Sequence, residues 1–239
     1  YTQTVCFLNK GSKDCGIAIE NRVQMAQAVF ALEKPDHVPK IALAETEKNY
    51  PGTENLKRPI VMIGVLGSTP GKSLPYDYIV EIINYITASY DVSVLFNYAP
   101  HQKGEALKIY GMCRNKAMVH HKMHAATIRD FIRLMYRCDM LISNEGGSVH
   151  IAKALKKPTF TIYSPFIKKE HWCSFEDGAF HQSIHLKEER PELYKRHTKA
   201  EMRKIERSPE TLYHKLTPGL IFQKLKPYLE KRIPAAQKQ

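Results

Sequence analysis

From residue 60 onward, apolar residues follow two alternating rhythms. Short unbroken runs rich in β-branched residues, IVMIGV (60–65), VSVLF (92–96), DMLIS (139–143) and PTFTIY (158–163), read as strands buried on both faces. Between them apolar positions recur at helical spacing. Ile79, Ile82, Ile83 and Ile86 form one such face, and Ile128, Phe131, Ile132 and Met135 another. Thr127 stands at the N-cap position of the second, with Asp130 three residues on to suit the helix dipole. GEALKIYGMC (104–113) and VHIAKAL (149–155) predict two shorter helices, and KAMVHH (116–121) a third or edge strand. The alternation predicts an α/β fold, a Rossmann-like parallel sheet with helices on both faces and 158–163 as its last strand.

The flanks break this rhythm and divide the chain into 1–58, 59–182 and 183–239. The first segment predicts one helix over 20–34, then a Pro-, Glu- and Lys-containing linker to Pro59. The last carries 14 Lys and Arg against 7 Asp and Glu, and two helix starts of Ser-Pro or Thr-Pro type. This basic tail supplies more than half of the chain's formal charge of +12, which implies an anionic partner. A nucleic-acid-binding module is one such reading. Against it, the aromatics are not interleaved with the basic run as a stacking platform would need, and no helix-turn-helix, RRM or zinc pattern occurs. No apolar run is long enough for a membrane span and the start lacks a signal-peptide core, so a cytoplasmic location is expected. The five cysteines form no CxxC pair, which suits a reducing compartment and offers no zinc site.

Candidate chemistry lies in two loops at predicted strand ends, where α/β sheets bind ligands. In GSTPGKSLP (67–75), Lys72 can pair with a phosphate and the Ser68 and Thr69 hydroxyls can donate to it. This loop is not a P-loop, because Leu66 occupies the place of the first glycine, and no GxGxxG follows the first strand. In SNEGGSVHIAKAL (143–155), Glu145 can accept from a ribose or sugar hydroxyl. Gly146 and Gly147 admit a diphosphate to the helix N-terminus, and His150 stands one turn in. His120, His121 and His124 in HHKMH lack a fourth ligand and read as solvated, so no metal is expected. Trp172, the one tryptophan, reads as a packing anchor.

Taken in order, STPGKSLP, TIRDFIRLMYRCDMLIS and NEGGSVHIAKALKKPTFTIYSPFIKKEHW resemble the donor-binding half of bacterial heptosyltransferases, glycosyltransferase family 9, with the GT-B fold. The resemblance covers residues 60–172. It implies that Lys72 contacts a donor diphosphate with the Ser68 hydroxyl in the same loop, that Glu145 contacts the sugar-nucleotide, and that Gly146, Gly147 and His150 border the phosphates. It further implies an inverting transferase moving heptose or a related sugar from a nucleotide donor such as ADP-heptose. The acceptor would be of lipid A–core type at the inner membrane surface, reached by an enzyme that is cytoplasmic or peripheral to that membrane, with no cofactor. Residues 1–58 resemble at most the end of an N-terminal acceptor domain, and 183–239 a helical segment packing back on the domains. The resemblance names no catalytic base within this chain. The sequence departs from the family at Leu74 (for Trp), Glu145 (for Asp), Gly146 (often Thr) and Ser164 (for Gly). A nucleotide-sugar-binding relic without transfer is the alternative that the short N-terminal segment raises.

Overall fold

The computed structural model describes all residues except 1–3, 12–13, 124, 196–197, 207–209 and 235–239. Its centre is a six-stranded sheet of β1 (Ile60–Gly64), β2 (Ser93–Asn97), β3 (Val119–His120), β4 (Met140–Asn144), β5 (Thr159–Tyr163) and β6 (His181–His185). The order across the sheet is β3-β2-β1-β4-β5-β6, and every neighbouring pair is parallel. The four apolar runs are β1, β2, β4 and β5, with β1, β4 and β5 buried along their whole length, as strands covered on both faces must be. β6 is the strand that periodicity missed. HQSIH has one aliphatic residue; His181 and Ser183 are buried with Thr159 and Glu176 as partners, His185 is buried edge-on to the Tyr163 ring, and Gln182 is half-buried. The sheet therefore continues past 158–163, and β6 straddles residue 182.

Ahead of the sheet lies α1 (Ile17–Phe30). One face of the sheet carries α2 (Tyr76–Ser89) and α3 (Lys103–Met112), whose Ile79, Ile82, Ile83, Ile86 and Ile109 pack on Val61, Ile63, Val94 and Phe96. The other face carries α4 (Ile128–Arg137) and α5 (Gly147–Ala154), with Leu134, Met135, Val149 and Ala152 on Ile60, Met62, Leu95 and Leu141. Thr127 caps α4 as expected, its hydroxyl accepting from the Asp130 N–H at 3.0 Å. Ile128, placed on the apolar face by spacing, is instead 74% exposed, since the first turn of α4 projects beyond the core.

Beyond β6 run α6 (Leu186–Glu189), α7 (Glu192–Lys195), α8 (Lys199–Glu206), α9 (Glu210–Tyr213) and α10 (Pro218–Glu230). Thr217 caps α10, and Leu216, Ile221, Leu225 and Leu229 join the α2 side of the core. The basic tail thus buries an apolar stripe against α2 and β6, while Lys215, Lys226 and Lys231 are exposed. The Pro-, Glu- and Lys-containing stretch before Pro59 is not a free linker. Arg129, Arg133 and Arg137, one turn apart on α4, hold it through Glu47, the Asn49 carbonyl and the Thr53 hydroxyl.

Candidate functional site

This strand order reverses direction between β1 and β4, so the chain leaves these neighbours in opposite senses and opens a crevice at their carboxyl ends. The two loops singled out above emerge there. The first turns sharply at Gly67, where an added Cβ would stand 2.0 Å from the Lys72 carbonyl oxygen, so only glycine permits the loop to close on itself. Its base is tied by the Gly67 N–H to Ser73 Oγ (2.9 Å) and by Gln102 Nε2 to the Gly67 carbonyl (2.6 Å). A turn from the Lys72 N–H to the Thr69 carbonyl (2.9 Å) places the lysine at the loop's far end.

The second loop leaves β4 through Glu145 and Gly146. Gly146 has φ 156° and ψ −173°, a region open essentially to glycine. Gly147 begins α5, whose first amides have no partners within the helix. A Cβ added at either glycine would meet nothing within 4 Å, so the bare backbone borders open space. That space is a cleft of about 750 Å³ lined by Thr69, Lys72, Glu145, Gly146, Gly147 and His150, together with Thr161, Tyr163, Phe166 and Trp172. Six of the seven predicted binding residues therefore share one cleft. Ser68 does not; it is exposed and lines an adjoining hollow with His101, Gln102 and His214.

Glu145 is 9% exposed. Its Oε2 accepts from the Ser164 N–H at 2.7 Å, while Oε1 is buried with no hydrogen-bond partner. Burial pushes its carboxyl up to about 7, against the pull of backbone N–H groups and the Lys72 charge. His150 Nδ1 lies 3.3 Å from Ser174 Oγ, and burial, reinforced by Lys153 and Arg22, lowers its pKa. At neutral pH it is thus an uncharged imidazole, able to donate one N–H to an anion. The cleft can hold a ligand bearing phosphate near Lys72 and the α5 N-terminus and hydroxyls near Glu145.

Sequence reasoning missed the supporting layer. Trp172 is 38% exposed and lines the cleft, its ring 6.3 Å from that of His150, rather than anchoring the core. Beneath α5, Lys153 has a 2% exposed side chain, donates to the Ser174 carbonyl at 2.5 Å and lies 3.6 Å from Glu176. Glu176 also accepts from the Tyr163 and Ser183 hydroxyls and pairs with Lys169. No motif announces this network, because its members are spread over residues 153–183 without a regular spacing. Of the three histidines, His120 is on edge strand β3, and the His121 ring lies 3.9 Å from that of Tyr110. His124 lies outside the described residues. Among the described residues no group of three or more His, Cys, Asp or Glu is placed to hold a metal, and no helix is long and apolar enough to cross a membrane.

The sequence profile of glycosyltransferase family 9 (heptosyltransferase) matches residues 9–202. The chain belongs to this family. No curated protein matches it. Among solved structures, a family 9 glycosyl transferase from Veillonella parvula is similar over 96% of this chain and 62% of its own, at 11% identity and a TM-score of 0.65. E. coli ADP-heptose LPS heptosyltransferase II is similar over 64% of this chain and 46% of its own (19% identity, TM-score 0.52). E. coli heptosyltransferase WaaC, solved with ADP-2-deoxy-2-fluoro heptose, is similar over 69% and 49% (18% identity, TM-score 0.51). These likenesses support the Rossmann-like sheet of the GT-B glycosyltransferases. The family 9 chain spans less than two thirds of each of these proteins.

Proposed function

We propose that this chain forms the donor-binding part of a glycosyltransferase that moves heptose or a related sugar from a nucleotide-diphosphate donor, with inversion, to a lipopolysaccharide core acceptor. The observation that carries the reading is the cleft itself: Lys72, the bare amides of Gly146 and Gly147 and the unpartnered Glu145 Oε1 converge at the β1/β4 crevice. Lys72, Thr69 and the α5 N-terminus would take the diphosphate, with neutral His150 donating beside it, and Glu145 would accept from a sugar hydroxyl. In transfer these donors would stabilise the charge that develops on the departing diphosphate. Membership of the family and the E. coli neighbours support ADP as the nucleotide. The basic tail supports a role near an anionic membrane surface, where each Lys or Arg adds about 1 kcal/mol of attraction.

Calorimetric titration with ADP, UDP and ADP-heptose tests this reading on the wild type and on Lys72→Ala. Preferential binding of the adenine ligands, weakened by about tenfold to a hundredfold in the variant as befits a lost charge-assisted contact, supports it. Absence of binding by the wild type to all three ligands would sink it. Sugar release from ADP-heptose in the presence of a core acceptor separates transfer from binding alone.

A further inference from the structure

Ser164 stands where β5 ends, and three loops of the cleft meet on it. It is 2% exposed. Its N–H donates to Glu145 Oε2 at 2.7 Å, and its hydroxyl donates to the Gly71 carbonyl at 2.9 Å, one residue before Lys72. The Phe166 N–H returns to that hydroxyl at 3.4 Å, turning the wall that carries Phe166 and Ile167 along the cleft. The bonds from Ser73 and Gln102 hold only the base of the Lys72 loop, on the β1–β2 side. The Ser164 hydroxyl ties the far end of that loop across the crevice to β5. A glycine at this position would keep the bond to Glu145 and lose both hydroxyl bonds.

We propose that Ser164 is a positioning residue that fixes the Lys72 loop against Glu145, so that cation and carboxylate stand at a set separation before any ligand arrives. The proposal rests on the donor-site reading for the identity of the ligand, while the linkage itself is a property of the free protein. Holding two contacts at a set spacing lowers the ordering cost of a ligand that must touch both. Because Ser164 is buried, water does not readily replace its hydroxyl at the Gly71 carbonyl.

The test follows amide hydrogen exchange in the ligand-free protein at Lys72, in the tethered loop, and at Leu141, in β4, for the wild type, Ser164→Ala, Ser164→Gly and Ser164→Thr. ADP is then titrated into each. In Ser164→Ala and Ser164→Gly the Lys72 amide should exchange about fivefold to tenfold faster, the factor one net hydrogen bond supports, with Leu141 unchanged. Threonine, which keeps the hydroxyl, should restore slow exchange, and ADP affinity should fall and recover in parallel. Unchanged exchange at Lys72 in both the Ala and Gly variants would overturn the proposal. So would equal acceleration at Leu141, which would make Ser164 a packing residue. If the wild type binds no ADP, the donor reading fails while the exchange comparison still decides the role of Ser164.

Discussion

Two carboxylates of this molecule are treated in opposite ways. Glu145, at the tip of β4, is stripped of water, given one N–H on one oxygen and none on the other, and pushed up to about 7. Glu47, in the segment lying along α4, accepts from both Nε and a terminal nitrogen of Arg129 and from the Ala44 N–H, which holds its carboxyl down near 2. The first arrangement opposes the charged state that folding buries; the second favours it. A site that is to take up a hydroxyl or a phosphate must leave polar capacity unspent, whereas a segment that is only to stay in place has its polar groups satisfied from within. Local stability and binding capacity are thus divided between regions of one fold.

The largest expected effect strikes the layer that supports the cleft. Lys153→Met keeps the stem and removes the ammonium, leaving Glu176 buried with only Lys169 and two hydroxyls. Breaking a buried pair from one side costs about 3–5 kcal/mol, here towards the low end because three partners remain. Chemical denaturation would measure it. Adding Glu176→Gln should recover part of the loss, and a double variant no better than the single one would refute the pairing.

Next is Glu145→Gln, where the sign depends on pH. The folded carboxyl titrates near 7 against an ordinary value of 4.5. The native state therefore binds more protons than the unfolded chain between these values, and stability falls as pH rises through that window. Glutamine can keep the bond from the Ser164 N–H without carrying charge. The variant should match the wild type at and below pH 4.5 and exceed it by up to about 3 kcal/mol above pH 7. Parallel stability curves across that range would show that Glu145 is not a desolvated carboxyl. On the donor reading the same variant binds nucleotide sugar more weakly, so the site gives up stability for function.

The contrast also explains what was legible from residues alone. The sheet was legible because strands buried on both faces are rich in apolar and β-branched residues, and β1, β2, β4 and β5 are. The missed strand, β6, has one aliphatic residue and buries His181 and Ser183 by bonding them to Thr159 and Glu176, which leaves no hydrophobic signature. In the cleft, Glu145, Gly146, Gly147 and Lys72 were legible because glycine turns and charges at strand ends are local features. Ser68 was placed in the cleft by its neighbours in sequence, yet the tight turn that closes Gly67 on Lys72 sends it to the adjoining hollow. The ties from Gln102 to Gly67, from Ser164 to Glu145 and Gly71, and from Lys153 to Ser174 span 19 to 93 residues and have no spacing to read.

On the α4 side, Thr127→Ala removes a cap whose hydroxyl accepts from the Asp130 N–H and donates to the Asp130 carboxylate. It should cost about 1 kcal/mol and leave the cleft's affinity untouched, since α4 contributes no lining residue. A loss of ligand binding in this variant would join the two regions that the comparison separates.

The smallest effect is expected from Glu47→Gln. The pair with Arg129 is solvent-accessible, with half of the arginine side chain exposed, so its attraction is screened by salt. Because the folded carboxyl lies below its ordinary value of 4.5, its contribution is present above that value and is lost as pH falls towards 2. The wild type should therefore melt slightly above the variant at pH 7 in low salt, and the two should converge both in molar salt and in acid. This window lies below pH 4.5, where the Glu145 variant already matches the wild type. Measured together, the two glutamine substitutions should displace stability in opposite directions at pH 8. The same direction from both would mean that Glu145 is held as Glu47 is, by partners rather than by burial, and that the cleft is a finished structural joint instead of an open site.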